Sequence, residues 1–205
     1  MAYEKCIDVS EEIWKEFEAR EPREIAGRTG ALYQKEVYHL PFLDRTLLLA
    51  PVRRQVQVAG APEAEPGFRL CLTALLYLLR INPAALGPGI SPLELPGGAT
   101  FFRGHHGLPS GPLEERFGRD AAGLLAAGEK LHGATRPDGD AAVALEVFPG
   151  LVVEVILWQA DDEFPAQVSF TLPAHLDQFW FLDAVWGLLN LVTQELLHAA
   201  PKESS

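Results

Sequence analysis

Hydrophobic residues follow the spacing of strands and helices along most of the chain, most clearly between Gly150 and His198. Leu151–Trp158 is almost entirely β-branched or large and apolar, which predicts a buried strand. Residues 168–172 alternate between apolar and polar, which predicts a second strand with one face on the core. Residues 176–198 are apolar around most of a helical circumference. Such a helix must be covered by a sheet and another helix, or by a second copy in a homodimer.

The rest of the chain supplies further elements, and their patterns are weaker. An N-terminal helix carries Val9, Ile13, Trp14 and Phe17 on one stripe, and a second mostly apolar helix spans residues 68–81. The other predicted elements are an edge strand at 32–40, strands at 46–50, 52–58 and 141–148, helices at 113–117 and 121–131, a β-like segment at 100–103, and a surface loop at 135–140.

Together these elements predict an α+β fold with a mostly antiparallel β-sheet packed against two long apolar helices, residues 68–81 and 176–198. Consecutive strands joined by short connections favour antiparallel pairing, and the helices are too few for a doubly wound sheet. The predicted organisation is an N-terminal helical extension over residues 1–31, a single α+β domain over residues 32–200, and a polar tail over residues 201–205.

Composition excludes several classes of protein. The chain has 205 residues, 48% hydrophobic and 22% charged, which is ordinary for a folded domain. Its net charge of -11, with 17 basic against 28 acidic residues, argues against a nucleic-acid surface and against binding to anionic membranes. Cys6 and Cys71 are too few for a disulfide framework or a cysteine-rich metal site, and Cys71 is predicted to be a small buried hydrophobe. With no signal segment at the N-terminus, the protein is predicted to be cytoplasmic.

An acidic turn separates the two best-defined strands. Asp161, Asp162 and Glu163 are adjacent carboxylates that can bind a hard cation. The alternative is a solvated hairpin turn in which an aspartate accepts hydrogen bonds from nearby backbone N–H groups, or in which one carboxylate pairs with Arg103. Adjacent residues rarely all face one ion, so the spacing favours the structural interpretation.

Two histidines flanked by glycines, His105 and His106, are the main candidates for ligating a metal or for acid–base chemistry. Adjacent histidines do not share a face, and metal pairs usually have wider spacing. Glu94 lies beside the glycines of Leu95-Pro-Gly-Gly98. These glycines indicate a tight turn or a close approach of the backbone, since the ending of a phosphate-binding loop is missing.

Four segments resemble the bacterial and archaeal domain-of-unknown-function family 3786: the apolar helix 68–81, Ile90-Ser-Pro-Leu-Glu-Leu-Pro-Gly-Gly98, Pro112-Leu-Glu-Glu-Arg-Phe-Gly118, and Leu157-Trp-Gln-Ala-Asp-Asp-Glu-Phe-Pro-Ala166. The resemblance covers the chain from about Val37 to Leu197. It implies a role near redox or metallocofactor metabolism, because some members look fused to a cysteine-rich iron–sulfur segment. With two cysteines this chain lacks cluster ligands of its own.

These observations leave two hypotheses for function. The first is a non-catalytic binding or accessory protein that holds a small molecule or cofactor of unknown identity, or docks a redox protein partner. The alternative is a metal-dependent enzyme that uses His105, His106 and the acidic-turn carboxylates. For either function, the predicted ligand pocket has one wall in residues 93–106 (with Glu94, Arg103, His105 and His106) and a second in residues 161–164, since loops on a rigid scaffold carry most binding sites.

Overall fold

The computed structural model describes residues 5–201. The chain divides into two compact units, the first ending at Ala85 and including Phe148–Gly150, the second comprising Leu86–Val147 and the residues from Leu151 onward. The single domain over residues 32–200 and the extension over 1–31 remain predictions. Residues 202–205 of the predicted tail lie outside the described part of the chain, as do residues 1–4.

The first unit consists of three helices and a four-stranded antiparallel sheet of strand order β1-β2-β3-β4. Its elements are α1 (Glu11–Ala19), α2 (Pro22–Thr29), β1 (Leu32–Gln34), β2 (Val37–Phe42), β3 (Arg45–Ala50), β4 (Gln55–Val58) and α3 (Phe68–Arg80). Trp14 and Phe17 of the predicted N-terminal stripe are buried. The predicted edge strand over residues 32–40 is instead two strands, β1 at the edge of the sheet and β2 beside it. Burial of the apolar faces of these elements holds the unit together.

The cysteines require a correction. Cys71 is fully buried, as predicted, but it is not a free thiol: it forms a disulfide with Cys6. The two Cα atoms lie 5.4 Å apart, although 65 residues separate the cysteines along the chain. The bond joins a single 3-10 turn, Cys6–Asp8, to the first turns of α3.

An ion pair between α1 and α3 makes the stability of this unit depend on pH. Arg80 donates both guanidinium nitrogens to the Glu16 carboxylate, and Arg20 donates a further bond of 3.2 Å. The hydrogen bonds from Arg80, and then those from Arg20, lower the pKa of Glu16 below its ordinary value, against the opposing effect of burial. The stabilisation is present above the pKa of the unfolded carboxyl and is lost as the pH falls through the folded pKa.

We therefore expect Glu16→Gln to be less stable than the native chain near neutral pH, with the difference disappearing as the pH falls through the lowered pKa of Glu16. Both side chains are about one-third exposed, so the difference should stay below about 1 kcal/mol. Urea unfolding across this pH range measures it. Glu18→Gln, at an exposed position of the same helix, is the matched control, and an equal pH effect in both variants would contradict the assignment.

The second unit has a five-stranded sheet of order β5-β9-β8-β7-β6 with four helices. Its elements are β5 (Gly89–Ile90), α4 (Gly98–Phe101), α5 (Gly111–Phe117), α6 (Ala121–Lys130), β6 (Ala134–Arg136), β7 (Ala141–Phe148, whose last residue groups with the first unit), β8 (Leu151–Trp158), β9 (Gln167–Pro173) and α7 (Leu182–Ala199). β8 pairs antiparallel with β9, with Glu154 opposite Thr171 and Trp158 opposite Gln167. The α+β class is confirmed.

Other details also differ from the sequence predictions. There are two sheets rather than one, and α3 and α7 belong to different units. In the β-like segment at residues 100–103, the first two residues instead end the short helix α4 and the other two follow it, and part of the predicted loop at 135–140 is strand β6. The terminal helix begins at Leu182, because a separate 3-10 turn, Leu176–Gln178, precedes it.

The helix α7 has seven buried residues along its 18 positions, including Leu188, Leu189 and Val192. Within residues 5–201, neither this helix nor any other has the length and apolarity needed to cross a membrane. The homodimer that its apolar sequence suggested remains a prediction.

Candidate functional site

The acidic turn connects β8 to β9 and is shaped by one of its own carboxylates. Asp161 Oδ1 accepts hydrogen bonds from the backbone N–H groups of Phe164 (2.7 Å) and Glu163 (2.8 Å). The Asp161 N–H donates to the Phe164 carbonyl oxygen at 3.0 Å. The donor from Phe164, followed by that from Glu163, lowers the pKa of Asp161, although the side chain is exposed. Asp161 therefore has a structural role, as the aspartate-turn interpretation predicted.

A cleft of about 940 Å³ lies between this turn and the segment that contains α5. Its lining is rich in carboxylates, with six acidic residues against two arginines. The lining residues are Gly111, Glu114, Glu115, Arg116, Gly118, Arg119, Asp120, Ala160, Asp161, Asp162, Glu163, Phe164, Pro165 and Ala166. The structure thus brings together Asp161, Asp162 and Glu163 of the predicted site. We call this feature the acidic cleft.

Hydrogen bonds from the α5 side hold the cleft in shape. Glu114 Oε1 accepts from the Val168 backbone N–H at 3.0 Å, which ties α5 to β9. Arg116 Nη1 lies 3.0 Å from Asp120 Oδ2, and Arg116 Nη2 donates to the Pro201 carbonyl oxygen at 2.7 Å. Asp120 also caps α6 by accepting from the Gly123 N–H at 2.8 Å. These contacts, led by the bond from Arg116, lower the pKa of Asp120.

A glycine sets the distance between the two walls. Gly118 O accepts from the Ala160 backbone N–H at 2.9 Å. A Cβ atom at position 118 would lie 2.6 Å from the Ala166 Cβ and 2.3 Å from the Glu114 carbonyl oxygen. Any larger residue would push the acidic turn away from α5, because real Cβ atoms do not approach other atoms so closely.

Four charged side chains of the cleft have no structural task within the described part of the chain. Glu115, Arg119, Asp162 and Glu163 are all exposed and make no hydrogen bond or ion pair there. Phe164, beside them, is 67% exposed. The free charges are three carboxylates and one arginine, so the cleft attracts cations, with an apolar ring available at its edge.

The two histidines lie elsewhere in the same unit, in the 3-10 turn Gly104–His106. The ring of His106 stacks on Phe101, with 4.5 Å between ring centroids, and meets Trp186 edge-on at 5.6 Å. Trp186 Nε1 donates to the Gly107 carbonyl oxygen at 3.0 Å, which fixes the turn against α7. His105 is exposed. His106 therefore packs in an aromatic cluster.

The remaining predicted site residues are not in the cleft. Glu94 accepts a bond of 2.8 Å from the Ser91 backbone N–H and completes the capping box of the 3-10 turn Pro92–Glu94. Arg103 is exposed and precedes the histidine turn, so it does not pair with the acidic turn. Within residues 5–201 no group of three or more His, Cys, Asp and Glu residues is arranged to hold a metal ion. His105, His106 and the acidic carboxylates do not form one metal site.

For the predicted ligand pocket, the wall assigned to residues 93–106 is wrong. The loop follows β5, whose Ile90 pairs with Leu172 near the end of β9, whereas the acidic turn precedes Gln167 at its beginning. These two positions are about 17 Å apart along an extended strand. The cleft lining contains no residue of 93–106.

Sequence reasoning missed the α5 wall. The sequence did not identify Glu114, Glu115 and Arg119 as site residues. The first two lie in Pro112-Leu-Glu-Glu-Arg-Phe-Gly118, one of the four segments that resemble the family. That resemblance contained a signal, because each wall of the cleft overlaps one of the four family-like segments. What the pattern could not show is that these segments are neighbours in space.

A family model described as a domain of unknown function (DUF3786) matches residues 21–195. The match includes both walls of the acidic cleft. No curated protein and no solved structure matches the chain.

Proposed function

The chain belongs to the DUF3786 family, and from this premise we propose that it is a non-catalytic binding or accessory protein whose ligand occupies the acidic cleft. The proposal rests on the charged side chains of the cleft that make no hydrogen bond or ion pair within the described residues, next to side chains whose hydrogen bonds fix the walls. Glu114, Arg116 and Asp120 hold the walls, while Glu115, Asp162 and Glu163 remain available for a ligand.

The charge of the lining selects the class of ligand. Six carboxylates against two arginines favour a cationic group, and the charge of the whole chain adds to the attraction. Enclosed, mostly apolar pockets are typical for small organic molecules, whereas this cleft is open and rich in charged side chains. We therefore propose that the ligand is a basic segment of a partner protein, with lysine or arginine side chains facing Asp162 and Glu163 and an apolar neighbour resting on Phe164.

Such binding should be weak and sensitive to salt. Exposed ion pairs contribute roughly 0.2–1 kcal/mol each, and ions at physiological concentration screen charges beyond about 8 Å. Electrostatic complementarity of this kind mainly accelerates association and selects the partner.

A fluorescein-labelled peptide of lysine, arginine and leucine residues is a suitable probe, with fluorescence anisotropy as the readout. We expect the double variant Asp162→Asn, Glu163→Gln to weaken binding about five- to tenfold at low salt, because it removes two exposed charges without altering the Asp161 turn. Raising the salt concentration should reduce this difference.

The matched control is Glu129→Gln, Asp138→Asn, which changes the net charge by the same amount at exposed positions outside the cleft. Its affinity for the peptide should stay within about twofold of the native value, since screening weakens distant charges. Equal losses in the two double variants would mean that only net charge matters. That result, or unchanged binding in the cleft variant, would refute the proposed site.

A further inference from the structure

The disulfide in the first unit lies beside a second cleft. This cleft has a volume of about 340 Å³ and is lined by Cys6, Ile7 and two segments of the same unit. Those segments are Arg54–Gln55–Val56–Gln57 and Pro62–Glu63–Ala64–Glu65–Pro66. We call it the cysteine cleft.

The two sulfur atoms have different surroundings. Cys6 is partly exposed and lines the cysteine cleft, and its neighbour Ile7 is 84% exposed. Cys71 is 0% exposed and does not line the cleft. Its Sγ lies 3.7 Å from the Pro66 carbonyl oxygen, on the inner side of the segment that forms the wall. Of the two disulfide-bonded residues, Cys6 is therefore the one that a molecule in the cleft would contact.

We propose that the Cys6–Cys71 disulfide is a redox-active site at which a small thiol, of the glutathione or dithiol class, enters the cysteine cleft and attacks Cys6. The thiolate sulfur of the reductant forms a bond to Cys6 Sγ, and the Cys6–Cys71 bond breaks. Cys71 leaves as a thiolate and takes a proton from solvent. A second reductant thiolate then attacks the mixed disulfide, releases Cys6 as a thiolate, and leaves the reductant oxidised to its disulfide, so that two electrons pass to the protein.

The contacts around Cys6 show what reduction would free. The 3-10 turn Cys6–Asp8 has backbone bonds from Asp8 N–H to the Lys5 carbonyl oxygen and from Val9 N–H to the Cys6 carbonyl oxygen. Lys5 also donates its backbone N–H to Asp8 Oδ2 at 2.9 Å, forms an antiparallel bridge with Gly67, and makes an exposed ion pair of 3.1 Å with Glu65. The next buried anchors are Val9 and Trp14. Reduction would remove the covalent link between this turn and α3, while the buried residues Val9 and Trp14 keep α1 in place.

Native-state reduction of the full chain tests the proposal. The oxidised protein is treated with reduced glutathione or with dithiothreitol, free thiols are blocked with N-ethylmaleimide, and the products are resolved by mass spectrometry. We expect reduction without denaturant at a rate within about tenfold of that in denaturant, with a transient glutathione adduct on Cys6. A native rate limited by global unfolding, or an adduct on Cys71, would overturn the proposal.

Single-cysteine variants separate the two sulfurs. In Cys71→Ser, Cys6 should react with N-ethylmaleimide at least about tenfold faster than Cys71 does in Cys6→Ser, because thiol reactivity follows access to solvent. Equal rates, or faster reaction of Cys71, would refute the assigned direction of attack. If either variant fails to fold, the rates for the native chain decide the question.

A charge at the mouth of the cleft gives a further check. Ile7→Glu should slow attack by glutathione about threefold more than attack by dithiothreitol, since the glutathione thiolate carries more negative charge than the dithiothreitol thiolate and like charges repel within the screening length. Leu32→Glu introduces the same charge at an exposed position outside the cleft lining and should leave both rates unchanged. Equal effects of the two variants would contradict entry through the cysteine cleft.

Discussion

Replacing Tyr77 with alanine is expected to lower the free energy of unfolding of the first unit by about 3–5 kcal/mol, as for other large aromatic residues in a core. Tyr77 is fully buried on α3, and its ring stacks on Phe148 with 4.8 Å between centroids. Its hydroxyl lies 2.7 Å from the Pro149 carbonyl oxygen and 3.1 Å from that of Thr29. Truncation therefore leaves a cavity and removes the donor that faces two backbone acceptors.

Urea unfolding followed by circular dichroism measures this loss, and Tyr77→Phe separates its causes. Phenylalanine keeps the ring and removes only the hydroxyl, so its cost should be about 1–2 kcal/mol. Tyr33→Phe on the edge strand β1, where the side chain is not fully buried, should change stability by less than about 0.5 kcal/mol. If Tyr77→Phe is as costly as Tyr77→Ala, ring packing is not the dominant contribution.

The secondary structure could be predicted where the pattern was long and strong. Leu151–Trp158 and α3 lie where their apolar runs placed them, because burial of those side chains outweighs local alternatives. Residues 100–103 carry β-favouring phenylalanines, yet residues up to Phe101 are helical. The preceding Gly97, at φ +79°, turns the chain into a short helix, so local backbone geometry overrides side-chain propensity.

The number of sheets could not be predicted in the same way. Periodicity identifies strands and their buried faces, but it does not identify their partners. β1 to β4 pair with one another in sequence order, whereas β5 pairs with β9, about eighty residues later in the chain. The disulfide could not be predicted for the same reason, since a separation of 65 residues does not indicate that Cys6 and Cys71 are neighbours in space.

Only one wall of the acidic cleft could be predicted from sequence. Three adjacent carboxylates in a turn are visible as a motif, and the role of Asp161 follows from ordinary turn chemistry. The other wall depends on the contact of Glu114 with the backbone of Val168, which is a tertiary event. The surroundings of the histidine pair also depend on a tertiary contact, because the ring of His106 packs against Trp186, eighty residues later in the chain. The role of these histidines as ligands stays a prediction.

The glycines of Leu95-Pro-Gly-Gly98 lead to the second large prediction: Gly98→Ala should destabilise the second unit by about 3 kcal/mol, at the upper end of the cost of overpacking. A Cβ at Gly98 would lie 2.2 Å from the Pro92 carbonyl oxygen. That oxygen cannot easily move, since Pro92 begins a 3-10 turn that the Ser91–Glu94 capping box fixes, and the oxygen itself accepts from the Leu95 backbone N–H at 3.3 Å. The close approach of the backbone that the sequence suggested is thus a steric requirement at one of the two glycines.

The adjacent Gly97 provides a control with a different mechanism. Its φ of +79° strains any residue with a Cβ, but the nearest atom to that Cβ, Leu182 Cδ1, would be at 3.6 Å. Gly97→Ala should therefore cost only about 1–2 kcal/mol, the penalty of the left-handed conformation.

Gly111→Ala, with open space around the added methyl group, should change stability by less than about 0.5 kcal/mol. Thermal and urea unfolding of the three variants should rank them in this order. If Gly98→Ala is no more destabilising than Gly97→Ala, the turn at Pro92 can move to accommodate the added Cβ. The glycines are then required for their backbone conformation rather than for lack of space.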